Sequence, residues 1–184
     1  MTGWALSAHS GSAVDTRRLA GALAPLCRPG DLLILSGGLG AGKTVFAQGF
    51  AAALGIEGPV TSPTFTLVRQ YPCPPNAAGI EQFVHADLYR LDSFSEVLDL
   101  ALPELVEDAA IGLVEWGEVA APVLGMSALH VTLATVPIGV GEAGEAGVDE
   151  ARMVTIEGEG PAWTDRRESV AAATETALAA PRRS

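Results

Sequence analysis

Residues 32–50, LLILSGGLGAGKTVFAQGF, leave little freedom for the rest of the chain. Four consecutive apolar residues, Leu32 to Leu35, predict a short strand buried on both faces. Phe46, Phe50 and Leu54 then recur at helical spacing after a glycine-rich turn. Between strand and helix, Gly37-x4-Gly42-Lys43-Thr44 fits the phosphate-binding pattern G-x-x-x-x-G-K-[ST], in the strand-to-helix context that the pattern requires.

The residue types follow from the chemistry. A glycine-rich turn lets successive backbone N–H groups point inward around phosphate oxygens, and the helix N-terminus behind it adds positive potential. Gly38, Leu39, Gly40, Ala41, Gly42, Lys43, Thr44 and Val45 are therefore the expected nucleotide-binding residues. The Lys43 ammonium is expected to reach the β- and γ-phosphates, and the Thr44 hydroxyl to meet Mg²⁺. Lys43 is the only lysine among 184 residues, beside ten arginines. A chain that otherwise uses arginine keeps lysine where a compact point charge suits and a broad guanidinium does not.

Length predicts one domain with a substantial core, and the low aromatic content (5%) predicts that the core is aliphatic. No run of 18 apolar residues occurs, and the N-terminus lacks a basic-then-apolar signal pattern; a soluble, cytoplasmic protein with no membrane role is expected. Cys27 and Cys73 have neither metal spacing nor a disulfide framework and read as a core thiol and a loop thiol. A net charge of −11 repels phosphate backbones and disfavours direct, tight nucleic-acid binding, a helicase or a translocating ATPase.

Other segments find places around this loop. Ser12 and Asp15 resemble a helix start, with Leu19, Leu23 and Leu26 on one face and a stop before Pro29-Gly30. Thr61-Ser62-Pro63-Thr64-Phe65-Thr66, directly after the first helix, reads as a switch-type loop whose hydroxyls meet phosphate, Mg²⁺ or attacking water, with Thr64 foremost. A strand over 66–71, a turn at 72–76 and a returning strand ending at Asp87 predict an antiparallel ribbon on an otherwise parallel sheet. Ser93, Glu96 and Glu104 read as helix-start and helix-face residues. Ile111-Gly112-Leu113-Val114-Glu115 is an apolar strand ending in an acid, so Glu115 is expected to emerge beside the phosphates and hold Mg²⁺ or orient the nucleophile. Trp116 beside it is assigned equally to packing or to the nucleotide or partner face. Further strands are expected at 128–136 and 152–156, joined by a flexible acidic loop over 139–150. The domain is expected to span 1–157. Residues 158–184, Ala-rich and low in complexity, are expected as a C-terminal tail, partly helical or disordered.

A guanine-specific GTPase reads its base with an Asn/Thr-Lys-x-Asp motif, which a chain with Lys43 alone cannot contain; ATP is the expected nucleotide. Between residues 44 and 151 only Arg69 and Arg90 are arginines, thin provision for a kinase lid. A small-molecule kinase and a nucleotide-sensing module with little turnover remain the alternatives to an ATP-driven switch. At this point four motifs carry a resemblance: Gly37–Thr44, Ser62-Pro63-Thr64-Phe65-Thr66-Leu67, His85-Ala86-Asp87-Leu88-Tyr89-Arg90 and Leu113-Val114-Glu115-Trp116. In order and spacing they are similar to those of the TsaE (YjeE) family, over about residues 10–157. That family is the ATPase subunit of the bacterial machinery that installs threonylcarbamoyladenosine in tRNA.

The resemblance implies an α/β P-loop NTPase-type three-layer fold, its central sheet mostly parallel with antiparallel additions. It also implies Mg²⁺-dependent ATP hydrolysis with a TsaD-like transferase and a TsaB-like subunit as partners. The link to tRNA is then indirect, which agrees with the acidic charge. Carried over by position, the implied catalytic residues are Lys43, Thr64, Asp87 and Glu115, and the implied metal site is Thr44, Glu115 and Asp87. Gly38 stands where the family usually has Asp, so any role of that acid is missing here.

Overall fold

The computed structural model describes residues 3–76, 78–91, 93–117, 127–136 and 151–179. In chain order these form β1 (Trp4–Ser10), α1 (Ala13–Leu23), a 3-10 turn (Ala24–Leu26), β2 (Leu32–Ser36) and α2 (Lys43–Ala53). Next come β3 (Val68–Pro72), β4 (Gln82–Asp87), α3 (Phe94–Asp99), α4 (Leu102–Leu105) and β5 (Ala110–Glu115). The chain closes with β6 (Leu129–Thr135), β7 (Arg152–Gly158), α5 (Pro161–Thr164) and α6 (Arg167–Ala179).

The seven strands form one sheet in the order β1-β7-β6-β2-β5-β4-β3. β2 runs parallel to both β5 and β6, and β4 parallel to β5, whereas β3 on one edge and β7 and β1 on the other pair antiparallel. This is the expected P-loop NTPase-type architecture, including the β3–β4 ribbon. The apolar run of β2 explains its central place. Leu33 and Leu35 enter one core with Phe46 and Phe50 of α2, while Leu32 and Ile34 enter a second core with Val97 of α3 and Leu102 of α4. Alternating side chains thus bury both faces under helices, which makes three layers.

Local signals act where the residues suggest. The Ser12 side chain accepts from the Asp15 N–H at 3.1 Å and starts α1; Ser93 and Glu96 form a reciprocal capping box at α3. β3 begins at Val68 rather than residue 66. Thr66 and Leu67 are still turning, both N–H groups donating to the Pro63 carbonyl, and Leu67 takes a φ of 62° that a strand cannot continue.

Two regions go beyond the sequence reading. Residues 4–10, which offer almost no signal, are an edge strand paired along its whole length with β7. The Ala-rich stretch after 158 supplies α5 and α6, and Trp163, Val170 and Thr174 are buried. Arg166 locks this region to the body. It donates to both oxygens of Asp31 and to the carbonyls of Leu26 and Ala162, and its guanidinium stacks 3.8 Å from the Trp163 ring. The acidic loop 139–150 and Pro181-Arg182-Arg183-Ser184 lie outside the described residues.

Candidate functional site

Parallel pairing brings the carboxyl ends of β2, β5 and β4 to one edge, and register sets their neighbours. Leu35 stands beside Glu115, and Glu115 beside Asp87. Two carboxylates therefore end adjacent strands just where the chain leaves β2 for the glycine-rich loop, the usual ligand position in such sheets.

The loop is held by close packing. Gly37 has a φ of 137°, and a Cβ there would stand 2.2 Å from the Leu133 carbonyl oxygen, so only glycine fits against the end of β6. Gly42, at a φ of 105°, turns the chain into α2. The Lys43 side chain then folds back across the loop, its Nζ donating to the Gly37 carbonyl at 2.6 Å and the Gly38 carbonyl at 2.9 Å. The same ammonium lies 3.6 Å from the centre of the Trp116 ring. Thr44, one residue on, directs its hydroxyl between both oxygens of Glu115, 3.1 Å from each.

A second constellation faces the first. The Asp87 carboxylate accepts from the Ser62 and Thr64 hydroxyls through one oxygen and from the Tyr89 N–H through the other, at 2.9 Å. Loop 61–66 is thereby tied to the end of β4. Between the two constellations lies a cleft of about 380 Å³ lined by Leu39, Gly40, Ala41, Gly42, Lys43, Thr44 and Val45 with Ser62, Thr64, Asp87, Tyr89, Glu115 and Trp116. Of the residues expected from sequence, only Gly38 is not among those lining it; its carbonyl is spent on Lys43.

Beside the residues assigned from sequence others meet at the site: His85 and Arg152 had no functional reading there, and Ser62 and Trp116 had one left open. His85 is fully buried, and its Nε2 lies 2.9 Å from Glu115 Oε1; the carboxylate accepts, so Nε2 carries the hydrogen. A signal for it existed, since His85 sits two residues before Asp87 and strand alternation puts both on one face. Ser62 lies in the same hydroxyl-rich loop as Thr64. Trp116 adopts a φ of 59°, uncommon for a bulky residue, and its ring meets both Lys43 and Tyr89. Arg152, more than a hundred residues from the loop, reaches the Ala41 carbonyl, and local pattern gives no hint of that.

Comparison with known proteins accords with this geometry. The family model "Threonylcarbamoyl adenosine biosynthesis protein TsaE" matches residues 10–138. A tRNA threonylcarbamoyladenosine biosynthesis protein TsaE from Mycobacterium tuberculosis is 45% identical over 125 residues, covering 65% of this chain and 73% of the relative. The protein of the same name from Streptomyces coelicolor is 40% identical over 157 residues, covering 85% of this chain and 99% of the relative. The crystal structure of YdiB from Bacillus subtilis superposes with a TM-score of 0.68 at 28% identity, covering 96% of this chain and 97% of that one. With the match extending over the loop, both carboxylate strands and the elements between them, this chain belongs to the TsaE family of tRNA threonylcarbamoyladenosine biosynthesis proteins.

Proposed function

We propose that this chain is a Mg²⁺-dependent ATPase whose turnover supports threonylcarbamoyl transfer to tRNA adenosine within an assembly that includes a TsaD-like transferase and a TsaB-like subunit, in the cytoplasm. The observation that carries the reading is the convergence of Lys43, Thr44, Asp87 and Glu115, from three separate elements, on one cleft floored by the glycine-rich loop.

The donor set suits a small hard cation, being the Thr44 hydroxyl and two carboxylates. Among the described residues no three His, Cys, Asp or Glu side chains cluster to hold a metal by themselves. That fits Mg²⁺, which commonly takes one or two carboxylates and completes its shell with water and substrate phosphates. Thr44 and Glu115 would hold the ion, with Asp87 beside them, and its chemistry there would be to offset the negative charge of the phosphate groups.

The chain's own groups do the rest. Loop amides of residues 38–45 and the Lys43 ammonium take the phosphate oxygens, and Lys43 exchanges its carbonyl contacts for them. Thr64, held by Asp87, faces the far side of the cleft, where attacking water enters; Asp87 orients that water and accepts its proton. His85 keeps the Glu115 carboxylate turned toward Thr44. The net charge of −11 suits a subunit that leaves tRNA to its partners.

The test is hydrolysis by the purified chain, alone and with the transferase and its companion subunit, with and without Mg²⁺. Weak Mg²⁺-dependent ADP release that rises when the partners are added, together with ATP-dependent co-purification, is expected. A rate indifferent to the partners would overturn the assembly reading. ADP release that depends strictly on a small phosphate acceptor would instead select a kinase.

A further inference from the structure

Arg152 opens β7, beyond residue 138 where the family match ends. Its guanidinium nevertheless crosses to the glycine-rich loop. Nε donates to the Ala41 carbonyl at 3.0 Å and Nη2 to the Gly40 carbonyl at 3.4 Å, and Nε lies 3.7 Å from where a Gly42 Cβ would stand. The base of this arm is rigid, because Arg152 is paired with Ser10 of β1 on one side and Thr135 of β6 on the other. The loop thus rests on the antiparallel part of the sheet at two points, Gly37 against the Leu133 carbonyl and residues 40–42 against Arg152.

What this does follows from peptide geometry. In a planar trans peptide the C=O and the following N–H point in opposite directions. Holding the Ala41 carbonyl on the β7 side turns the Gly42 N–H toward the opposite side, and Gly42 lines the cleft. A guanidinium suits the task because its fixed fork of donors takes two carbonyls at once. Without it a glycine-rich loop samples orientations in which a carbonyl oxygen, not an amide, faces an incoming phosphate.

We propose that Arg152 is a positioning residue that pre-organises the phosphate loop from behind, raising nucleotide affinity without touching the nucleotide; this rests on the nucleotide-binding reading above. Pre-organisation acts by removing an ordering cost from binding, so its loss weakens affinity rather than chemistry at saturation.

The experiment compares wild type, Arg152→Met and Arg152→Lys by calorimetric titration with ATPγS and by amide hydrogen exchange. Arg152→Met is expected to weaken binding about ten-fold or more. Exchange at residues 40–43 is expected to speed up by a similar factor, while the amides of β7 and the unfolding midpoint hold. Arg152→Lys keeps the charge but not the fork and should fall between. Affinity within about two-fold of wild type in Arg152→Met overturns the proposal, as does faster loop exchange with unchanged affinity. If Arg152→Met also loosens β7, Arg152→Lys decides by the same criterion. A folded wild-type chain that binds no ATPγS overturns the nucleotide reading instead, and loop exchange then still reports whether Arg152 holds the loop.

Discussion

On either side of β2 the sheet buries polar groups, and it treats them differently. Toward β5 and β4, Lys43, His85, Asp87 and Glu115 are all nearly inaccessible and bonded mainly across gaps between elements, loop to strand and helix to strand. Away from the cleft, Ser10 bonds Thr16 and the Ser12 carbonyl, and Arg166 gives four hydrogen bonds to Asp31 and two backbone carbonyls. The first set faces a cleft and can trade contacts for a ligand's, since a Lys43 ammonium that leaves the Gly37 and Gly38 carbonyls for phosphate oxygens exchanges neutral acceptors for charged ones. The second set is closed, and exchanging any member leaves a buried charge or donor unmatched. Burial alone therefore does not mark function; what marks it is whether the partners of a buried group are replaceable.

The sharpest way to break this comparison is in the closed half. Arg166→Ala removes one side of a nearly buried ion pair and leaves the Asp31 charge to the Arg28 N–H, which costs about 3 kcal/mol. Denaturant unfolding should show that loss, while calorimetry on the folded fraction shows ATP affinity unchanged. A loss below about 1 kcal/mol would mean that the pair is screened like a surface bridge. In the cleft half the signs reverse. Glu115→Gln keeps the shape and can still accept the Thr44 hydrogen, so stability should barely move. Without its charge the side chain is a poor cation ligand, and hydrolysis is expected to fall about a hundred-fold or more. A variant that hydrolyses ATP normally would remove Glu115 from the metal site.

The same contrast explains what could be read from sequence. The centre was legible because β2 and β5 are apolar runs leading into a glycine-rich loop or an acid, β4 carries Phe83, Val84 and Ala86 up to its terminal Asp87, and Lys43 stands alone of its kind. Of the cleft-lining residues, Thr64 and Glu115 could be placed because each sits in a local pattern, whereas Asp87 was placed only through the resemblance that its motif carries. The antiparallel half carries weak signals. In β1, Trp4 and Leu6 are the only large apolar residues, and its pairing partner lies some 150 positions away. In α6 the buried positions are Val170, Thr174 and Ala177, too small to make an apolar stripe. Long-range packing, not local preference, decides those elements, and it equally hides Arg152 from any reading by motif.

A smaller effect sharpens the picture of the closed half. Burial first, then the neighbouring Asp31 carboxylate, holds the Cys27 thiol well above its ordinary value of 9.0, with Arg166 pulling the other way. The unfolded chain loses this proton near pH 9 and the folded chain does not. Stability from this group is thus intact below pH 9 and declines as pH rises beyond it. About 1 kcal/mol should disappear between pH 9 and pH 10, and Cys27→Ala should abolish that part of the slope. Parallel curves for wild type and variant would mean that the thiol reaches solvent.

The smallest expected effect belongs to Gly38, the loop position where the resemblance seen in the sequence implies an Asp. Unlike Gly37, it has nothing within 4 Å of where a Cβ would stand, and its φ lies outside the region that favours glycine. Gly38→Asp should therefore fold normally, with unfolding free energy within about 0.5 kcal/mol of wild type. Its carboxylate would hang at the loop beside Lys43, whose Nζ already contacts the Gly38 carbonyl. There it would compete with phosphate for the ammonium and weaken ATP binding modestly, by less than about ten-fold. A stability loss above about 1 kcal/mol would show that the loop at this point is packed as tightly as at Gly37, and that the cleft half, too, has no slack to exchange.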